Sequence, residues 1–182
     1  ELFRASLGQI SPEKIVFSGV GKTAVEIKEA LLAGIQSIQV ESLAELHLIS
    51  KIASDINLKA RIALRVNPNV NAKTHPYIST GLKHNKFGLD PFELKAILSE
   101  YHYFKRNVHF QGFGCHIGSQ IVRAEPFKLA WKYLIDLSKN APFRVTHLNL
   151  GGGLGISYGI ESENFTIEEY CKLIVKMFAN SQ

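Results

Sequence analysis

Short apolar runs alternate along the chain with longer stretches in which apolar residues recur every three or four positions. A short apolar run between polar breaks is typical of a buried strand, and the wider spacing is typical of a helix with one buried face. The predicted strands are 14–19, 37–40, 60–67, 109–115 and 145–150. The pattern therefore predicts five strand–helix units in succession.

Capping signals mark the beginnings of several predicted helices. Three pairs have the hydroxyl-then-glutamate spacing of a capping box, namely Thr23 with Glu26, Ser42 with Glu45, and Thr166 with Glu169. Asp90 before Pro91 predicts another helix start, and Gly34 predicts the end of the first capped helix. These signals place the helices between the predicted strands.

Repeated strand–helix units predict the α/β class, with parallel strands and right-handed crossovers. Two architectures fit: an open doubly wound sheet, or part of a (β/α)8 TIM barrel, which five units are too few to close. The hydrophobic pattern by itself does not choose between them.

Composition excludes several classes of function. The net charge is +5, but the basic residues are scattered without interleaved aromatics, which argues against nucleic-acid binding. No apolar run approaches the roughly 20 residues that a membrane span needs. Cys115 and Cys171 form no CxxC pair, which is typical of a reducing cytoplasm, and the seven histidines show no metal-ligand spacing.

The strongest candidates for ligand-binding residues follow the fourth and fifth predicted strands, at the edge where parallel α/β sheets bind ligands. His116 and Ser119 follow the fourth strand, and Gly151, Gly152 and Gly153 follow the fifth. Consecutive glycines let the backbone approach an anion closely and present several N–H groups to it. The pattern therefore predicts a site for a planar, phosphorylated cofactor.

Strict alternation along the fourth strand would place His116 on one face with Gly114, Gly112 and Phe110. Glycines beneath the imidazole would leave space for a flat ligand. The structural alternatives are a core histidine bonded to backbone and, for the glycine run, a tight turn without a ligand.

Arg65 ends the third strand in phase with Ala63, opposite the apolar positions Ile62 and Leu64. It is therefore expected either to point towards the barrel centre or a ligand, or to form a buried ion pair. The polar loop at 69–89 has groups that recognise ligands at 74–81 and 86–88, and long loops at strand ends are often functional. The alternative is a solvated loop, and residue by residue the sequence favours that alternative. The dinucleotide fingerprint, P-loop and nucleophile elbow are absent.

Five stretches resemble the diaminopimelate decarboxylases. They are KIVFSGVGKT at 14–23, RVNP at 65–68, AKTHPYISTGLKHNKFG at 72–88, GFGCHIGSQ at 112–120 and LNLGGGLG at 148–155. The related ornithine and arginine decarboxylases share the barrel and the glycine run, but they do not normally match both the third and fourth stretches. The resemblance implies an alanine-racemase-type barrel that uses pyridoxal 5'-phosphate to convert meso-diaminopimelate to L-lysine and CO2.

The resemblance also assigns roles to individual residues. The histidine that matches His116 stacks on the cofactor ring, and the residues that match Ser119 and the three glycines, 151–153, hold its phosphate. The arginine that matches Arg65 lies near the cofactor. No metal is implied.

By the same resemblance, residues 1–182 correspond to barrel strands three to seven, in the central part of the cofactor-binding domain. The lysine that carries the cofactor, a Glu-Pro-Gly-Arg segment on strand eight and a C-terminal β-domain are expected outside this segment. A cysteine of that β-domain completes the partner's site in the family homodimer. The segment alone is therefore predicted to be inactive.

Three alternatives remain open at this stage. One is a non-catalytic relative that binds pyridoxal 5'-phosphate, and another is a decarboxylase of a different basic amino acid, of the ornithine or arginine type. The third is an unrelated phosphate-binding barrel enzyme.

Overall fold

The helices and strands follow the predicted alternation. A computed structural model describes residues 1–70, 87–156 and 165–179, and within them the strands are β1 (Val16–Phe17), β2 (Ser37–Val40), β3 (Ala60–Arg65), β4 (Val108–Gly114) and β5 (His147–Asn149). The helices are α1 (Leu2–Leu7), α2 (Ala24–Ala33), α3 (Leu43–Asp55), α4 (Pro91–Ser99), α5 (Tyr101–Phe104), α6 (Ala124–Lys139) and α7 (Ile167–Phe178). Most of the predicted loop at 69–89, including 74–81, lies outside the described residues.

The strands lie side by side in chain order, from β1 to β5. The first four are parallel, with Val16 beside Ser37 at one end of the series and Leu64 beside Phe113 at the other. A doubly wound sheet reverses its strand order at a switch point, whereas a barrel adds each strand on the same side. The strand order is therefore that of a (β/α)8 barrel segment, and the doubly wound alternative is wrong.

The chain divides into two compact units. The first comprises Glu1–Val66, Phe87–Gly114 and Ala141–Leu148, and the second comprises, among the described residues, 67–70, 115–140, 149–156 and 165–179. In the first unit all four residues of β2 are buried, as expected for a parallel strand with both faces covered. Ile27 of α2, together with Leu46 and Ile49 of α3, is fully buried. Each such side chain contributes about 1.5–3 kcal/mol by leaving water.

Aromatic side chains form the core of the second unit. The ring centroids of Phe127 and Trp131, on α6, lie 5.0 and 5.2 Å from that of Tyr170 on α7. The Trp131 indole Nε1 also donates to the Leu150 carbonyl oxygen at 3.0 Å. Trp131 therefore joins the helix layer to the backbone immediately before the glycine run.

Two of the three predicted capping boxes are confirmed, and one is half formed. Thr23 with Glu26 and Thr166 with Glu169 exchange both hydrogen bonds. Ser42 Oγ accepts from the backbone N–H of Glu45 at 3.1 Å, but the Glu45 carboxylate does not return to Ser42. The reciprocal half of that prediction is wrong, because the carboxylate is bound elsewhere.

Three predicted strands are longer than the observed ones, and one of them is the fifth, predicted at 145–150 and observed at His147–Asn149. The first, predicted at 14–19, is reduced to β1 because Pro12–Lys14 form a 3-10 turn. The third, predicted to reach residue 67, ends at Arg65. None of the helices in the described part of the chain has the length and apolarity that crossing a bilayer requires.

A β-bulge interrupts the alternation along β4. Ile62 pairs with Phe110, whereas the next residue of β3, Ala63, pairs with Gly112, so Gln111 is the extra residue. Phe110 and Phe113 consequently share a face, and both pack against the ring of Phe143, at centroid distances of 5.2 and 5.6 Å.

The prediction that His116, Gly114, Gly112 and Phe110 share one face is therefore wrong for Phe110. Gly112 has a different role from the one expected as well. A Cβ atom there would lie 1.8 Å from the carbonyl oxygen of His147, so glycine is required by the close approach of β5. The prediction that Gly112 leaves space for a flat ligand is therefore wrong, because the β5 backbone occupies that position.

Replacing Gly112 by alanine is expected to destabilise the fold. The added methyl group has to push the β5 backbone away, and overpacking of this kind costs about 1–3 kcal/mol or more. Gly21→Ala is the matched control, since a Cβ atom there meets nothing within 4 Å. Urea unfolding of both variants measures the difference, and equal stabilities would contradict the proposed packing of β5.

The two complete capping boxes predict a stability term that depends on pH. The pKa values of Glu26 and Glu169 are lowered from 4.5, first by the backbone hydrogen bonds from Thr23 and Thr166 and then by the threonine hydroxyls. Because the folded pKa is depressed, this contribution is complete above 4.5 and disappears as the pH falls through the folded values.

Wild-type protein is therefore expected to exceed the double variant Glu26→Gln/Glu169→Gln in stability at neutral pH, and to lose that advantage on acidification. Urea midpoints measured across the acid range test this. A constant difference at every pH would show that the carboxylate charges do not contribute.

Candidate functional site

Two loops of the second unit lie against each other and bring the predicted site residues together. A Cβ atom at Gly151 would lie 2.3 Å from the Cys115 carbonyl oxygen and 3.2 Å from the His116 Cα atom. A Cβ atom at Gly153 would lie 1.8 Å from the carbonyl oxygen of Gly118, the residue before Ser119. The glycine run therefore follows the 115–119 backbone at a separation that excludes side chains.

Hydrogen bonds on both sides of the glycine run keep the two loops in register. The Cys115 N–H donates to the Asn149 carbonyl oxygen at 3.0 Å, before the run. After the run, the Ile121 N–H donates to the Gly153 carbonyl oxygen at 2.8 Å, and the Gly155 N–H donates to Ile121 at 3.0 Å. The loops are consequently joined like two short parallel strands beyond the sheet.

The conformation at His116 is set partly by the glycine run. The Gly152 N–H donates to His116 Nδ1 at 3.4 Å, so Nδ1 is the acceptor and the ring proton is assigned to Nε2. The imidazole is half-buried, in contrast to a fully enclosed core histidine. The hydrogen bond orients the ring and leaves part of it accessible.

The three glycines have different roles. Gly151 and Gly153 have positive φ angles, of 74° and 97°, and both are required by the close approach of the neighbouring loop. A Cβ atom at Gly152 meets nothing within 4 Å. Chain packing therefore accounts for two glycines that the sequence pattern attributed to an anion, and the space at Gly152 has no such explanation.

Three polar residues beside the glycine-rich segment 151–155 differ in exposure and in hydrogen bonding. Ser119 is exposed. Gln120 Oε1 accepts from the Ile156 N–H at 3.0 Å, and Asn149 Oδ1 accepts from the Gly151 N–H at 3.0 Å. Sequence reasoning missed Asn149 and Gln120, although both flank the motifs that it singled out. The available signal was an asparagine at the end of a strand and before glycines, since its side chain often bonds to the backbone two residues on.

Arg65 belongs to the first unit and forms the buried ion pair that was one of its two predicted alternatives. Its Nη1 lies 2.6 Å from Glu41 Oε1, and the two side chains are 16% and 5% exposed. The other carboxylate oxygen of Glu41 accepts from the Gly88 N–H at 3.1 Å, and the Phe87 ring lies 5.6 Å from the guanidinium carbon. Sequence reasoning missed Glu41, which directly follows β2.

A model of one protein family matches almost the whole chain. The family model for the pyridoxal binding domain of pyridoxal-dependent decarboxylases matches residues 1–181. The chain belongs to the pyridoxal-dependent decarboxylase family.

Several relatives within this decarboxylase family are diaminopimelate decarboxylases. The chain is 39% identical over 185 residues to that of Aquifex aeolicus, a match that covers 99% of this chain and 43% of the relative. It is 45% identical over 161 residues to that of Vibrio cholerae, covering 87% of this chain and 38% of the relative. The chain thus spans about two fifths of the length of these relatives.

Solved structures of the family have the same fold. Diaminopimelate decarboxylase from Helicobacter pylori, as the I148L mutant complexed with L-lysine, superposes with a TM-score of 0.91 at 37% identity, over 98% of this chain and 46% of that one. The arginine decarboxylase of a Paramecium bursaria Chlorella virus has a TM-score of 0.74 at 21% identity, over 99% and 46%. The second match shows the fold alone.

The different roles of the glycines predict different effects of added methyl groups. Gly153→Ala is expected to destabilise the protein, because the methyl group would meet the Gly118 carbonyl in a left-handed backbone conformation. Gly152→Ala is expected to leave the unfolding midpoint close to that of wild-type protein. Urea unfolding distinguishes them, and equal destabilisation would contradict the open space assigned to Gly152.

Proposed function

We propose that this segment is the central part, strands three to seven, of the cofactor-binding barrel of a diaminopimelate decarboxylase. The complete protein would convert meso-2,6-diaminopimelate to L-lysine and CO2 with pyridoxal 5'-phosphate as cofactor. The main support is the identity of 39–45% to diaminopimelate decarboxylases of Aquifex and Vibrio, with a half-buried histidine and an open glycine backbone side by side.

The residues present fit a planar phosphorylated group. Gly152 leaves the volume of a side chain unfilled beside the Ser119 loop, and a phosphate is well matched to backbone N–H groups and a hydroxyl. In this proposal Ser119 and the three glycines, 151–153, hold the phosphate, while the His116 imidazole lies against the ring face. When bound, pyridoxal 5'-phosphate supplies the electron sink that the loss of CO2 requires.

Within the proposed reaction, the main contribution of this segment is to bind and orient. His116 is presented in one ring orientation because the Gly152 N–H holds Nδ1. Asn149 fixes the turn at Gly151 through its side-chain oxygen. A cofactor held at both ring and phosphate is fixed in position relative to the substrate, which lowers the entropic cost of reaching the transition state. Arg65 is assigned to the cofactor-binding residues on the family resemblance.

Other parts of the proposed enzyme complete the centre. They are the lysine that carries the cofactor, the strand-eight segment with its carboxylate and arginine, and the β-domain with the cysteine that a homodimer partner would share. None of these roles is assigned to residues 1–182.

Diaminopimelate is favoured over other basic amino acids by the gradient of similarity. The diaminopimelate decarboxylases of Aquifex aeolicus and Vibrio cholerae are 39% and 45% identical, and solved structures named diaminopimelate decarboxylase include matches at 37% and 23%. The structural neighbour named lysine/ornithine decarboxylase, from Vibrio vulnificus, is 17% identical. A decarboxylase of the ornithine or arginine type is the second candidate, and a protein that binds the cofactor without catalysis is the third.

The full-length gene product, supplied with pyridoxal 5'-phosphate, is expected to release CO2 from meso-diaminopimelate and to form L-lysine. Ornithine and arginine are the comparison substrates. Turnover of either in place of diaminopimelate would transfer the assignment to the second candidate, and cofactor binding without any turnover would favour the third.

Gly152→Ala is expected to weaken binding of pyridoxal 5'-phosphate by at least about tenfold, since the methyl group would occupy the space proposed for the phosphate. Spectroscopic titration of the apoenzyme measures the dissociation constant, with Gly21→Ala as the control. Unchanged affinity would remove the glycine run from the cofactor site.

A further inference from the structure

A buried lysine stands at the beginning of a charge network in the first unit. The Lys22 side chain is 1% exposed, and its ammonium donates to three acceptors. These are the carbonyl oxygens of Gly19 and Gln39, at 2.6 and 2.7 Å, and Glu45 Oε1 at 2.6 Å. The ammonium is therefore saturated, and it explains why the Glu45 carboxylate does not complete the capping box at Ser42.

The network continues from Glu45 to Arg65 through Glu41. Glu45 Oε2 accepts from the backbone N–H of Glu41 at 2.7 Å, and the Glu41 carboxylate pairs with Arg65 Nη1 at 2.6 Å. Three successive strand ends are thereby linked: the loop after β1, the residue after β2 and the last residue of β3. Each link is a hydrogen bond shorter than about 2.8 Å, in the range of charge-assisted contacts.

The burial of these charges makes a purely stabilising role a poor explanation. Apolar residues in place of a buried ion pair often give equal or greater stability, because removing two charges from water is costly. Among the residues that the structure describes, the side-chain hydrogen bond of Arg65 is to Glu41, through one guanidinium nitrogen. Arg65, at 16%, is also the most exposed of the four side chains. The network thus ends at a cation that is oriented and still accessible.

We propose that Lys22, Glu45 and Glu41 are positioning residues that hold the Arg65 guanidinium for an anionic oxygen, a carboxylate or a phosphate. The inference rests on the proposed function, in which two such anions are present. One is the cofactor phosphate and the other is a substrate carboxylate. Arg65 is the residue that contacts the anion, and the other three act through it.

The key variant is Lys22→Met/Glu45→Leu in the full-length enzyme, because it removes both buried charges together and leaves no unpaired ion. It retains the Ser42 cap, which uses the backbone N–H of residue 45. The Glu41 backbone N–H loses its acceptor, and this is expected to loosen the residue whose carboxylate holds Arg65. Glu41→Gln is the second variant, since its amide presents a donor to either Arg65 or Gly88. The third variant, Arg65→Met, shows whether the arginine contributes to cofactor binding or to substrate binding.

The control is Lys128→Met, which breaks an exposed ion pair with Glu125 on α6, in the second unit. Three readouts are compared: the melting temperature, the dissociation constant of pyridoxal 5'-phosphate for the apoenzyme, and kcat and KM for diaminopimelate. If the anion is the cofactor phosphate, the key variant and Arg65→Met both weaken cofactor binding, by about tenfold or more, at unchanged KM. If it is the substrate carboxylate, both raise KM by a similar factor at unchanged cofactor affinity.

Positioning through Arg65 also requires non-additivity. In an Arg65→Met background, the key variant is expected to cause no further loss in the affected constant. A lower melting temperature with unchanged cofactor affinity and KM would overturn the inference, because it would make the network purely structural. Full additivity with Arg65→Met would overturn it as well.

Wild-type protein in the same assays separates failure of the proposed function from failure of this inference. Wild-type protein that neither binds the cofactor nor releases CO2 refutes the proposed function, and this inference with it. An active wild-type enzyme whose network variants behave like Lys128→Met refutes this inference alone.

Discussion

The candidate site depends on one steric constraint, the contact between two backbones that leaves no room for a side chain between them. Gly151 and Gly153 lie so close to the 115–118 carbonyls that a methyl group at either would overlap an oxygen atom. This contact sets the register of the two loops and places His116 and Ser119 beside the remaining glycine. The glycine that is free of the constraint, Gly152, is the one that leaves space for a ligand.

The charged residues divide in the same way, into those with a structural role and one with the ligand-binding role proposed above. Lys22 donates to Glu45 and to two backbone carbonyl oxygens, and the Glu45 and Glu41 carboxylates accept from cationic side chains and backbone N–H groups. Arg65 is the most exposed of the four side chains, and its hydrogen bond among the described residues is to Glu41. In both cases, residues of similar type in the sequence differ in the structure. Most of them are required by contacts within the chain, and one has open space or greater exposure to solvent. Locating a site in a barrel therefore depends on identifying which polar groups the fold has already used.

Local signals predicted much of the fold. The Thr23 and Thr166 capping boxes, and β2 with its full burial, need no more than short-range hydrogen bonding and hydrophobic spacing, and both are visible in sequence. The choice of a barrel over a doubly wound sheet required strand order, which is a long-range property. The bulge at Gln111 also has no sequence signal, because it is a property of the pairing of β4 with β3.

For the site, sequence identified the two loops and the candidate residues but not the reasons for them. The partner of Arg65 lies 24 positions away, at the end of the neighbouring strand β2, so no local spacing indicates Glu41.

The most direct measurement is a crystal structure of the full-length protein with pyridoxal 5'-phosphate bound. We expect phosphate oxygens within about 3 Å of the Ser119 hydroxyl and of the Gly153 N–H, since the Gly151 and Gly152 N–H groups donate to Asn149 and His116. A phosphate bound elsewhere, with the space at Gly152 empty, would contradict this expectation.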